Sequence, residues 1–353
     1  MTRLPLTAAV ALLLSSQTAL AALPTLTVWP DGEAPGAKNS PARYALVDRS
    51  KDPALPDRAV TGIRAPEITV YAAEKPNGIA LLVTPGGSYQ RVVLDKEGSD
   101  LAPVFNAEGY TLFVMTYRMP ADGHAEGSDA PLADAQRALR LLRARAADWH
   151  IDPHKIGVMG FSAGGHVAAS LETRYNEQVY TAVDAIDGQS ARPDFVVLGY
   201  PVIAMDPAIA HPGSRRALIG EEPKAERLRR YSPEQNVTPE TPPTFILHAV
   251  DDPSVPVDNS LVMFNALRAQ RVPTELHLFA EGKHDPLVQQ GLQVSRIKRQ
   301  RVLELRQGSV GGDHDDVVAE LMCRLRLEDD GCVPVLGGMH RAQMAVAPRR
   351  YAV

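Results

Sequence analysis

Cysteine is nearly absent from this chain. Two occur in 353 residues, Cys323 and Cys332, both close to the C-terminal end. The stretch from 22 to 306 has none, so packing rather than disulfides must hold it together. The two thiols either pair with each other or stay unpaired. A basic stripe is also missing. Net charge is −5, with both signs spread along the chain, which excludes the electrostatic footprint of a nucleic-acid-binding protein. No internal repeat is present. Long apolar runs are missing as well, apart from a short one at the start. There Arg3, the run Leu6–Leu14 and Ala19-Leu20-Ala21 have the layout of an export signal. The run is too short to span a bilayer well. Residues 1–21 are therefore expected to be a signal peptide, and the mature protein to be periplasmic or secreted, with no membrane association after cleavage.

What remains is long enough for one large domain with a sizeable core. Residues 67–71 alternate as a strand, and 79–84 form a continuous apolar run, as in a strand buried on both faces. Further strands are expected at 111–117, 155–159, 195–200, 244–250 and 275–279. Between them Leu132, Ala135, Leu139, Leu142, Ala146 and Trp149 step along one helical face. Helical runs are also expected at 163–171 and 258–267. Alternating strands and helices imply an α/β fold, a mostly parallel sheet with helices on both faces. Residues 26–38, rich in turn signals, read as an extended arm packed over the sheet. The polar, proline-rich segment 204–243, with short helical stretches around 215–218 and 225–230, reads as a cap-like insertion over the strand ends. The catalytic domain is thus bounded at 22–284, followed by an atypical tail at 285–353.

The chemistry centres on Gly160-Phe161-Ser162-Ala163-Gly164. This G-x-S-x-G lies between an apolar strand and an alanine-rich helix, the context of a nucleophile elbow. Glycines flank the serine because side chains there would collide in so tight a turn. A serine hydroxyl needs a base to take its proton, and the base needs a third group to fix its tautomer. In this fold the chain order is serine, acid, histidine. The acid candidates are Asp251 and Asp252, which end a strand; Asp252 is preferred. The histidine is His284, in a glycine-containing loop after the last strand. His166 reads as a packing or supporting residue of the elbow helix, and His248 as a core residue. The oxyanion hole is assigned to the turn Gly86-Gly87-Ser88, with the N–H groups of Gly87 or Ser88 and of Ala163 as donors. No cofactor or metal is implied; the histidine–aspartate cluster around His314 reads as a solvated loop.

The ordered set of motifs resembles α/β-hydrolase acetyl esterases related to acetyl-xylan and feruloyl-esterase-like enzymes. The resembling pieces are Trp29-Pro-Asp-Gly, Ala34-Pro-Gly, Pro85-Gly-Gly-Ser-Tyr89, Asp95-Lys-Glu-Gly98, Tyr117-Arg118 and Gly160-Phe-Ser-Ala-Gly-Gly-His166. Tyr231-Ser-Pro-Glu234, Thr241-Pro-Pro-Thr-Phe245, Asp251-Asp252 through Ser260 and Gly282-Lys-His284 complete it. The resemblance covers about residues 25–285. It implies the α/β-hydrolase fold and removal of acetyl or another short acyl group from carbohydrate, xylan-type. The partner implied is a small ester or acetylated carbohydrate. Two departures stand out: Ser88 replaces a third glycine, and the chain after His284 lacks the family's His-Gly-Phe-Gly and tryptophan-containing helix. The tail from about Asp285 is therefore read as something other than the family's C-terminus. Two other readings use the same fold: a binding protein with its histidine loop misplaced, and an exported serine peptidase.

Overall fold

The computed structural model describes residues 23–284. The expected signal peptide, the tail from 285, both cysteines and the cluster around His314 lie outside the described residues. The strands are β1 (Thr25–Thr27), β2 (Ala45–Asp48), β3 (Arg58–Thr61), β4 (Glu67–Tyr71), β5 (Ala80–Thr84) and β6 (Val92–Val93). They continue with β7 (Thr111–Met115), β8 (Ile156–Phe161), β9 (Val196–Gly199), β10 (Thr244–Ala249) and β11 (Thr274–Phe279). The helices are α1 (Ala102–Ala107), α2 (Ala130–Ala144), α3 (Ser162–Arg174), α4 (Pro212–Ile219), α5 (Ala225–Arg230) and α6 (Asp258–Ala269).

Eight strands form the main sheet in the order β1-β4-β7-β5-β8-β9-β10-β11. Only the pairs β1–β4 and β4–β7 are antiparallel; the others are parallel. The α/β class expected from the alternating pattern is what the chain adopts. The central strands β5, β7, β8, β9 and β10 are buried at every position, which accounts for their unbroken apolar runs. Alternate side chains serve different cores. Leu82, Val158, Leu198 and Ile246 join α2, α3 and α6 on one face. Leu81, Val83, Met159, Val197 and Phe245 pack with Phe105 of α1 on the other.

The N-terminal arm is more firmly built than its turn signals imply. β1 adds a strand to the sheet edge, and Trp29 behind it is fully buried. Its indole N–H donates to Asp134 Oδ1 at 2.9 Å, and that carboxylate also pairs with the buried Arg118. The periodic run expected to form one helix to Trp149 divides: α2 ends at Ala144, and a separate single turn covers Ala146–Trp149. A second, three-stranded antiparallel sheet, β2-β3-β6, was not evident from the pattern. Every residue of β2 is exposed, so no alternation marks it.

Because the central strands run the same way, their C-terminal ends share one rim. The turn 85–88 leaves β5, Ser162 leaves β8, Asp252 follows β10, and His284 follows β11. Crevices beyond these ends are where open α/β sheets hold their ligands.

Candidate active site

The turn from β8 into α3 places Ser162 at the bend with φ of 52°. That left-handed value is strained for a residue with a side chain and marks a forced turn. A Cβ at Gly160 would stand 2.3 Å from the Gly164 carbonyl oxygen, and one at Gly164 would stand 2.0 Å from that of Thr84. Both glycines are therefore steric requirements of the bend. Ser162 is 5% exposed and opens into a cleft of about 310 Å³ that His284, Gly87 and Ser88 also line.

The three side chains assigned from chain order meet here. His284 Nε2 lies 3.0 Å from Ser162 Oγ, and His284 Nδ1 lies 2.7 Å from Asp252 Oδ2. An ionised Asp252 can only accept, so Nδ1 carries the proton and Nε2 is left bare to receive one from the serine. Burial alone would push the Asp252 carboxyl up. Hydrogen bonds from His248, His284 and the Val255 amide outweigh it and hold the group far below the usual carboxylate range. Its Oδ1 accepts from the Ser254 and Val255 amides at 2.7 and 3.0 Å.

Asp251 faces elsewhere. Its Oδ1 accepts from the Gly282 and Lys283 amides, both at 2.8 Å, and so ties down the loop that carries His284. The Tyr200 ring packs edge-on to the imidazole, with centroids 5.0 Å apart.

The structure brings in one residue that sequence reasoning left in the core. His248, fully buried on β10, contacts Asp252 Oδ2 at 3.2 Å and the Val255 carbonyl at 3.0 Å through Nε2. Both partners accept, so Nε2 must carry the proton. Nδ1 then accepts from Ser260 Oγ, 2.8 Å away. The signal was present in the spacing: His248 and Asp252 are four residues apart across a strand end. His166 is likewise structural. Its Nε2–H donates to the Tyr231 carbonyl at 2.8 Å, and Nδ1 accepts from the Tyr89 hydroxyl at 2.7 Å. Burial pushes it down to about 4, so the ring is neutral and joins the elbow helix to the turn after β5 and to segment 225–231. His211 caps α4, and burial lowers it.

The turn after β5 is held from outside. Glu97 Oε2 accepts from the Gly86 amide at 2.5 Å, and Glu97 Oε1 accepts from the Tyr200 hydroxyl at 3.0 Å. The turn's own bonds run from the Gln90 and Arg91 amides to the Gly87 carbonyl. They do not use the Gly87 or Ser88 N–H. Gly87 has φ of 136° and Ser88 φ of 60°. Ala163 is a first-turn residue of α3, whose amide has no intrahelical acceptor. Among the described residues no group of three or more potential ligands could hold a metal ion, and no helix is long and apolar enough to cross a membrane.

The BD-FAE family model matches residues 72–267, more than half of the chain. The chain belongs to the BD-FAE family. The matched span includes Gly87, Ser88, Ser162, Ala163 and Asp252, and stops short of His284. The BD-FAE chain is 37% identical to endo-1,4-beta-xylanase B of Butyrivibrio fibrisolvens over 204 residues, 58% of this chain and 32% of that protein. It is 32% identical to the acetylxylan esterase of Xylanibacter ruminicola over 224 residues, 62% of this chain and 43% of that one. It thus spans less than half the length of these relatives. Among solved structures it is similar to an acetyl ester-xyloside bifunctional hydrolase from Caldicellulosiruptor lactoaceticus. There the identity is 35% and the TM-score 0.59, with 73% of this chain and 94% of that one covered. The resemblance to α/β-hydrolase acetyl esterases drawn from the motifs is borne out, and so is the α/β-hydrolase fold.

Proposed function

We propose that this protein is a carboxylic ester hydrolase that removes acetyl or another short acyl group from carbohydrate. The observation that carries the reading is the unbroken relay from Ser162 Oγ through His284 to an ionised Asp252. Ser162 attacks the ester carbonyl while His284 Nε2 takes its proton. Asp252 holds the Nδ1–H tautomer and stabilises the imidazolium that forms. The amides of Gly87 or Ser88 and of Ala163 receive the charge that develops on the carbonyl oxygen. His284 then returns the proton to the departing sugar hydroxyl. Water, deprotonated by the same imidazole, attacks the acyl-enzyme and releases the acid. The two curated relatives, a xylanase and an acetylxylan esterase, and the bifunctional acetyl ester-xyloside hydrolase support a xylan-type substrate.

Segment 204–243, which carries α4 and α5, serves in this reading as a cap bordering the site. Residues 1–21 direct export to the periplasm or medium, and N-terminal sequencing of the exported protein should begin at Ala22.

The decisive assay is hydrolysis of 4-nitrophenyl acetate and acetylated xylan by the wild type and by Ser162→Ala. The wild type should turn over both, and the variant should lose a factor of about 10⁴ or more in kcat. Activity surviving in the variant excludes the serine mechanism. Hydrolysis of peptides in preference to acetyl esters would point to a peptidase instead.

A further inference from the structure

The cleft in front of Ser162 is lined by four cations, Arg49, Arg91, Lys96 and Lys283, against one carboxylate, Glu97. Overall composition does not account for this: the chain has 37 basic and 42 acidic residues. Glu97 is committed to the Gly86 amide and the Tyr200 hydroxyl. Arg49 and Lys96 share a single carboxylate, Asp57, at 2.5 and 3.1 Å. Among the described residues Arg91 and Lys283 pair with no carboxylate. The half-buried Arg91 carries a buried Nε with no hydrogen-bond partner there. A buried donor without a partner is costly, and it leaves the guanidinium of this cleft-lining arginine uncommitted within the described residues.

The placement of these cations is as informative as their number. Arg91 belongs to the turn of the expected oxyanion hole: its amide donates to the Gly87 carbonyl at 3.3 Å, and its Cγ would be 2.7 Å from a Cβ built on Gly87. Lys283 adjoins His284, and its amide is pinned to Asp251. Arg49 follows β2, and Lys96 follows β6 on the same segment as Arg91; both line the same cleft. Three separate segments therefore deliver positive charge to the mouth of one site, where low-dielectric walls focus its field. A neutral acetylated sugar needs none of it. A guanidinium is the group that matches a carboxylate in a planar, two-point contact.

Building on the ester-hydrolase reading, we propose that the preferred substrate carries a carboxylate close to the scissile ester, with Arg91 binding it and Lys283 adding to the field. A uronic acid unit of an acidic carbohydrate has this chemistry, and so does an acyl group ending in a carboxylate.

The test compares kcat/KM across two matched pairs. One pair is acetylated methyl glucuronoside against acetylated methyl glucoside. The other is mono-4-nitrophenyl succinate against 4-nitrophenyl butyrate. At least one acidic partner should be favoured about tenfold, and 0.5 M salt should erode that advantage. The first pair responding places the carboxylate on the sugar; the second places it on the acyl group. Arg91→Gln should cut the acid-to-neutral ratio several-fold. Because Arg91 packs against Gly87, Lys283→Gln at an exposed position is the companion variant and should lower the same ratio. Ratios near one for both pairs, or variants that slow acidic and neutral substrates alike, overturn the inference while leaving the esterase intact. Failure to hydrolyse 4-nitrophenyl acetate at all removes the underlying reading and this inference with it.

Discussion

His248 and His284 share one oxygen. Asp252 Oδ2 meets the Nδ1 of His284 at 2.7 Å and the Nε2 of His248 at 3.2 Å. The second imidazole touches Asp252, the Val255 carbonyl and Ser260, and among the described residues it has no hydrogen bond to Ser162. With the Ser254 and Val255 amides on Oδ1, four donors converge on a carboxylate whose side chain has no exposed surface. This is how a group taken out of water stays ionised.

Removing the His248 donor should alter how strongly Asp252 draws on His284. In His248→Phe the carboxylate keeps more of its charge, which favours the imidazolium. The acidic limb of the kcat/KM–pH profile should then move to higher pH, with kcat falling about tenfold and KM nearly unchanged. His248→Gln, which restores an N–H donor, should recover much of both. A loss of stability with an unmoved profile would make His248 a packing residue only.

Ser88 offers a gain. Its φ of 60° is a conformation glycine adopts at little cost, and related enzymes are expected to have glycine there. Ser88→Gly should relieve strain of about 1 kcal/mol and raise the melting temperature by ~2 °C. Ester hydrolysis should persist, since the variant keeps the N–H. Differential scanning calorimetry with a 4-nitrophenyl acetate assay measures both.

Glu172 on α3 is fully buried, and one of its oxygens has no partner among the described residues. Burial pushes its carboxyl up to about 8, partly countered by Thr244, whose hydroxyl lies 2.5 Å from Oε1. The Thr244 oxygen is also 2.9 Å from the Pro242 carbonyl, and a neutral Glu172 can donate its own proton to Thr244 while Thr244 donates onward. The raised folded-state value means that the folded protein holds a proton the unfolded chain has released. The resulting stabilisation is complete below about pH 4.5 and is lost as pH rises toward 8. The melting temperature of the wild type should therefore drop across that window. Glu172→Gln should flatten the drop and be the more stable protein at pH 8.

Legibility in the sequence followed local pattern. β4 keeps the bounds that its alternation gives, and α5 covers the short helical stretch expected around 225–230. β2 and β3 escaped notice because they lie in a proline-rich stretch whose strands are short and partly solvent-facing. In the site, Ser162 and the glycine turn announce themselves through local sterics. Asp252 and His284 were found from chain order, a property of the fold. Asp252 could be preferred over Asp251 but not separated from it, since both end the same strand. His248 reads as core because it is core; its four-residue spacing from Asp252 across a strand end is the one local sign of their contact.

The neighbouring aspartates divide the labour of placing one ring. Asp251 moors the loop by its backbone and Asp252 fixes the tilt of the imidazole, so both anchors hang from the end of β10. The imidazole thus takes its bearings from chain that comes before it. Among the described residues, the imbalance is plain: both contacts that set the ring of His284 reach it from the sheet side of its loop.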